Sequence, residues 1–201
     1  MRMKNRILEA YPQAQLGELD SEKIYVVDFT ERTKSERGIE VHSSVPLDPG
    51  SERDMDCLEV RNAQKQVVVF NIFGDHQFKT EEGKDIQHCE CCLFPETQNE
   101  KCWVAFVEIK DCKIKNVSNY KDKVKTQIIS TVLLFRERQI LDRSKNVYGI
   151  ISFPRKGKID FNAAIFGDPT EYKRLYQKYR IHFLPTNAIV AEDEKMLKVD
   201  K

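Results

Sequence analysis

No apolar run in this chain approaches the roughly 18 residues that a membrane-spanning helix requires. The start, Met1-Arg-Met-Lys-Asn-Arg-Ile-Leu8, is basic and lacks the apolar stretch of a secretory signal, so the expectation is a cytoplasmic protein without membrane contact. Also missing are a GxSxG elbow, a P-loop and a GxGxxG turn. The usual local signatures of a serine hydrolase, a P-loop nucleotide binder and a dinucleotide binder are therefore absent. His42, His76, His88 and His182 show no spacing that suits a metal or a triad. No internal repeat or low-complexity tract interrupts the sequence.

What is present describes a globular protein. With 201 residues, 40% hydrophobic and 32% charged, the chain can build one sizeable core, and a single domain over residues 1–201 is expected. Six cysteines without a signal favour reduced thiols over disulfides. His88-Cys-Glu-Cys-Cys92, with Cys102 and Cys112, raises the question of zinc. Those thiols sit in strand-like runs, where Cys89 and Cys91 share one face and His88 and Cys92 the other, and Cys102 and Cys112 form no knuckle. A zinc-stabilised interaction domain is thus an alternative only, with buried thiols as the default.

The net charge of +1 hides an uneven distribution. Between Lys110 and Lys158 thirteen Lys and Arg stand against four Asp and Glu, which is either a solvated helical surface or one that attracts phosphate.

Periodicity places the elements. Residues 2–11 suit a short helix with Ile7 and Leu8 inward. Lys23–Phe29 reads as a strand, and residues 42–56 as a loop. Asp56–Val60 and Gln66–Phe73 suggest a strand pair turning at Asn62–Lys65. Ile86–Phe94 and Cys102–Ile109 suggest an antiparallel hairpin. A helix is predicted from about Asn119 to Leu141, capped by Ser118 or Asn119, with Val124, Ile128, Val132 and Phe135 inward and Ile129, Leu133 and Ile140 widening the stripe. Val147–Phe153 is a strand in which Gly149 permits close packing, and Ile159–Phe166 is another candidate. Asp168-Pro169 opens a last helix, and the tail from Glu192 is expected to fray.

The stretch Lys101-Cys-Trp-Val-Ala-Phe-Val-Glu-Ile-Lys110 stands out. Alternation of side chains puts Glu108 and Lys110 on one face at the strand's carboxyl end. The bland reading is an exposed ion pair worth about 0–1 kcal/mol. The sharper one follows from order: an acid in one strand, Glu108-Ile-Lys110 closing the next, a helix carrying Gln127, then the strand Val147-Tyr-Gly-Ile-Ile151. That order resembles the PD-(D/E)xK nuclease superfamily over about residues 66–153, within a nuclease-like core of about 56–153. The resemblance implies an α/β (α+β) fold with a mixed central sheet flanked by helices, the restriction-endonuclease-like core.

It also implies a chemistry. Glu90 or Asp85 would be the first acid; Glu90 has the better hairpin position, Asp85 the usual identity. That acid, Glu108 and the backbone carbonyl of Ile109 would hold Mg²⁺ or Mn²⁺, Lys110 would orient or activate the attacking water, and Gln127 would support the lysine or the substrate. Lys113, Lys115, Lys121, Lys123 and Lys125 would lie near the phosphate backbone. The expected activity is metal-dependent phosphodiester hydrolysis, with DNA favoured over RNA, in defence, restriction or repair, as a homodimer or within a larger defence complex. The alternative is a non-catalytic nucleic-acid-binding or assembly module on the same fold.

Overall fold

The computed structural model describes residues 2–34, 38–112, 116–157 and 161–200. In chain order the first elements are helix α1 (Met3–Ala10), strands β1 (Gln15–Leu19) and β2 (Lys23–Asp28), and the short helix α2 (Thr30–Thr33). Strands β3 (Ile39–His42), β4 (Leu58–Asn62), β5 (Val68–Ile72), β6 (Cys91–Pro95) and β7 (Trp103–Ile109) follow. The second half contains α3 (Val117–Glu137), β8 (Asn146–Ser152), α4 (Asn162–Ile165), α5 (Pro169–Tyr179), β9 (His182–Pro185), β10 (Ala188–Ala191) and β11 (Leu197–Val199). They build two mixed sheets, ordered β1-β5-β6-β7-β8-β9 and β11-β10-β4-β2-β3, so the α/β class with a mixed sheet and flanking helices holds. Among the described residues no helix is long and apolar enough to cross a membrane.

All seven residues of β7 are buried because its sheet is covered on both faces. Trp103, Ala105, Val107 and Ile109 pack in a core shared with Ile24, Val26, Leu58, Val60 and Ile189 of the second sheet. Val104 and Phe106 face the core under α3. There Phe135 meets Phe106, Phe73 and Phe78 edge to face, with centroids 5.3, 5.7 and 6.1 Å apart. Truncating such a buried ring to alanine costs about 3–5 kcal/mol.

The α3 stripe is as expected at Val124, Ile128, Val132 and Phe135, all fully buried. The helix starts earlier, with Asn116 at its N-cap and no side-chain cap bond, and it ends at Glu137. Leu133 is exposed, because the neighbouring positions already fill the space against the sheet. Leu8 of α1 is likewise exposed, and Ile7 and Met3 are the buried residues. Gly149 does allow close packing: a Cβ there would lie 2.9 Å from Phe183 Cδ1 and 3.0 Å from Ile128 Cγ2.

Several expectations are corrected by the second sheet. β4 and β5 are not partners: β4 pairs with β2 and β10, and β5 with β1 and β6. Between them Asn62 holds the turn, its Nδ2 donating to Gln66 O at 2.8 Å and Ser21 O at 3.0 Å, and the chain passes from one sheet to the other. The tail does not fray, because Trp103 donates its backbone N–H to Glu194 O and its indole N–H to Asp193 O, both at 2.9 Å, and β11 pairs with β10. Asn162–Ile165 is a short helix rather than a strand, with Phe161 and Ile165 buried in the core under α3. The α5 start is as read, Asp168 accepting from Thr170 N at 2.6 Å.

Candidate active site

The β6–β7 hairpin sets the acids side by side. Cys91 faces Val107, and Glu90 donates its backbone N–H to Val107 O at 3.0 Å, which places Glu90 beside Glu108. Lys110 Nζ donates to Glu90 Oε1 at 2.5 Å and lies 3.1 Å from Glu108 Oε1. Both carboxylates therefore converge on one ammonium. Ile109 between them turns its side chain into the core shared by the two sheets.

The two acids differ in environment. Glu90 is partly exposed, whereas Glu108 is fully buried and neither of its oxygens accepts a hydrogen bond. A desolvated carboxylate favours its neutral form. Burial accordingly pushes the Glu108 carboxyl up to about 8; the Lys110 ammonium opposes that rise and the Glu90 charge adds to it. For Lys110, burial works against the charged form, and the two carboxylates outweigh it, so its pKa is raised.

Immediately after the lysine a second network pins the strand end. Asp111 is buried and accepts from the guanidiniums of Arg155 (Nη2 at 2.6 Å, with a further short contact from Nε) and Arg32 (Nε at 2.9 Å). Its backbone N–H donates to Asp28 Oδ2 at 3.3 Å, and Asp28 Oδ1 accepts from Thr30 N at 3.0 Å. Lys110 N also donates to Ser152 O at 3.0 Å. The sequence reading missed Asp111 and Asp28. Their signal was an acid directly behind the Glu-x-Lys and another closing an apolar strand.

A cleft of about 480 Å³ opens over Glu90 and Lys110, with Asp28, Glu31, Asp75 and Asp111 in its wall. Tyr120 of α3 lines it too. Asp75, exposed beyond the end of β5, was also missed; it follows a strand that pairs directly with the β6 bearing Glu90.

Gln127 does not reach Lys110 through a hydrogen bond. Its Nε2 donates to His88 O at 2.8 Å, and one turn on, Thr131 Oγ1 accepts from Cys89 N at 2.9 Å. The helix thereby clamps the segment that leads into Glu90. Asp85 lies apart, in an exposed hairpin where it bonds His76 Nδ1 at 2.6 Å. Lys123 is exposed, and its charge reaches Glu108. Lys121 is partly exposed at the helix start. Lys125 is buried, contrary to expectation, because it ties α3 to α5: Nζ bonds Glu171 at 2.5 Å and Ile165 O at 3.2 Å. Lys113 and Lys115 lie outside the described residues.

The cysteine cluster divides between the cores. Cys91 faces the second sheet, while Cys89 and Cys92 both pack under α3, since the regular strand begins only at Cys91. Burial raises all three thiols. Among the described residues no group of three or more His, Cys, Asp or Glu side chains is placed to hold a metal ion. Any ion at Glu90 and Glu108 would thus have two side-chain ligands, completed by backbone carbonyl, water or substrate oxygens. Comparison with protein-family models, curated proteins and solved structures finds no match.

Proposed function

We propose that this chain is a Mg²⁺- or Mn²⁺-dependent nuclease of the PD-(D/E)xK type, acting on DNA in the cytoplasm, in restriction, defence or repair. One observation carries the reading: Glu90, directly before β6, and Glu108 of β7 converge on Lys110, where Glu90 and Lys110 line an acidic cleft and Glu108 is fully buried. Ionising a fully buried carboxylate is costly, and Glu108 has only one ammonium at 3.1 Å, which it shares with Glu90, so a second cation there would lower that cost. Hard carboxylate oxygens suit Mg²⁺, so the residues present fit the ion, with the Ile109 carbonyl as a further donor.

When bound there, a divalent ion supplies positive charge to phosphoryl oxygens and lowers the pKa of a coordinated water. The rest falls to the protein. Glu90 and Glu108 would hold the cation beside a cleft whose carboxylates otherwise repel phosphate. Lys110, held between the two carboxylates, would orient the attacking water and offset negative charge on the scissile phosphate. Gln127 and Thr131 act at one remove by fixing the backbone before Glu90, and Asp111 by fixing the backbone after Lys110.

The acidity of the cleft also argues against nucleic-acid binding there without metal. The test is cleavage of end-labelled DNA with Mg²⁺ or Mn²⁺ and with chelator. Cleavage should require metal, and Lys110→Ala should lower it by about 10²–10⁴, the range of a positioned proton-transfer group. Undiminished cleavage by a folded Lys110→Ala protein would sink the mechanism.

A further inference from the structure

Among the described residues, Lys110 is the only cation of the basic stretch noted in the sequence that lines the carboxylate cleft. Three other cations of that stretch, Arg136, Arg143 and Lys145, meet Lys178 and Arg180 at the other end of α3, where a groove of about 810 Å³ runs between the C-terminal turns of α3 and α5 and the starts of β8 and β9. Arg136, Arg143, Lys145, Lys178 and Arg180 line it, against the single acid Glu137. Among the described residues none of these five cations is in an ion pair, whereas Lys110, Lys125, Arg32 and Arg155 all are. Arg136 is instead built into the floor, its Nη1 donating to Tyr179 O at 2.6 Å and its Nε buried with no partner. Burial lowers its pKa, and the like charge of Arg143 lowers it further. Two tyrosines stand in the same wall: Arg180 lies 5.5 Å over the Tyr176 ring and Lys178 5.0 Å over that of Tyr179. A polyanion would relieve this crowding of unpaired charge.

We propose that this groove binds the phosphate backbone of the nucleic acid, one α3 length away from the carboxylate cleft. The 21 residues of α3 span about 30 Å at 1.5 Å each, roughly nine steps of a duplex at 3.4 Å. A duplex lying along the helix meets cations at one end and the metal site at the other. The choice of nucleic acid as the anion rests on the nuclease reading; the charge of the groove does not.

The test is fluorescence anisotropy of the full chain with a labelled DNA duplex of about 20 base pairs, twice the α3 length, without divalent metal. Arg143 and Lys178 are exposed, so Arg143→Glu with Lys178→Glu leaves the core intact. This variant should bind at least about ten-fold more weakly, and its slope of log affinity against log salt should be shallower by about 1.8, as expected when two phosphates are no longer neutralised. The neutral pair Arg143→Gln with Lys178→Gln should shift both in the same direction by less. An equal loss on RNA of the same sequence would support phosphate recognition alone, and a loss confined to DNA would support duplex recognition. Unchanged affinity and slope in the charge-reversed variant would overturn the proposal, even if metal-dependent cleavage is found. Absence of salt-sensitive binding by the wild-type chain would overturn it too, leaving the groove to an acidic protein. If the groove binds as described and metal then supports no cleavage, the nuclease reading fails and the groove stands.

Discussion

The two ends of α3 carry opposite charge, and they differ in how that charge is held. At the start of the helix, Glu90 and Glu108 are gathered around Lys110, beside a cleft whose wall also holds Asp28, Glu31, Asp75 and Asp111. At its end, five cations line a groove with no ion pair among the described residues. The helix dipole favours this polarity at both ends by about 0.3–1 kcal/mol per charge, independently of function. It does not explain a fully buried carboxylate that shares one ammonium with a second acid at one end, or cations without ion pairs around the partly buried Arg136 at the other. Charge that a fold needs for itself is usually paired, as Asp111 and Lys125 are. Charge that shares a single counter-ion, as the two acids share Lys110, or that has none, as in the groove, is available to a ligand.

The largest effect that would break the comparison is on rate. Glu108→Ala should abolish metal-dependent cleavage, a loss of about 10³ or more in kcat, while Arg143→Glu with Lys178→Glu should raise KM and spare kcat. Single-turnover and steady-state kinetics separate the two. Loss of kcat at the basic end, with Glu108→Ala active, would reverse the assignment.

A smaller effect concerns pH. The Glu108 carboxyl sits near 8 in the folded chain against 4.5 when free, so between these values the folded state binds the extra proton. Stability of the metal-free protein should therefore be full below about pH 4.5 as far as this group is concerned, and fall as pH rises through that window toward 8. Each kcal/mol lost lowers Tm by about 2–4 °C in a chain of this size. Glu108→Gln should flatten that slope in thermal melts from about pH 5 to 8, and a slope unchanged in the variant would show that another group causes it.

The smallest is at Gln127. Gln127→Ala leaves His88 O without its donor but also removes a buried amide oxygen that has no partner, so the net cost should be about 1 kcal/mol by chemical denaturation. Cleavage should fall modestly, by roughly ten-fold, because Glu90 is held less firmly. A loss as large as that of Lys110→Ala would make Gln127 a group that touches substrate.

These effects also mark what was legible beforehand. β7 and the buried stripe of α3 could be read because both are governed by local periodicity, and Glu108 and Lys110 followed from strand alternation. Glu90 over Asp85 followed from hairpin register: the strand begins so close to Glu90 that only this acid lies beside Glu108. The second sheet was not legible. β4 and β10 are parallel partners far apart in the chain, and an apolar run does not say which sheet it joins. For the same reason β4 and β5 looked like a hairpin, since the Asn62 turn is local while the partner choice is not. Lys125 and the basic groove were hidden by linear counting. The excess of Lys and Arg from 110 to 158 winds around a helix and through its loops, so only the fold shows that Arg136, Arg143 and Lys145 meet Lys178 and Arg180 in one groove.

The central claim is that the carboxylate cleft holds a divalent cation through Glu108. Isothermal titration of Mn²⁺ into metal-free protein at about pH 8, beside Glu108→Gln, tests it most directly. The account predicts saturable binding by the wild-type chain that Glu108→Gln weakens by at least about ten-fold, with binding releasing protons in the wild type alone. Equal Mn²⁺ affinity in both proteins, or none in either, would contradict it.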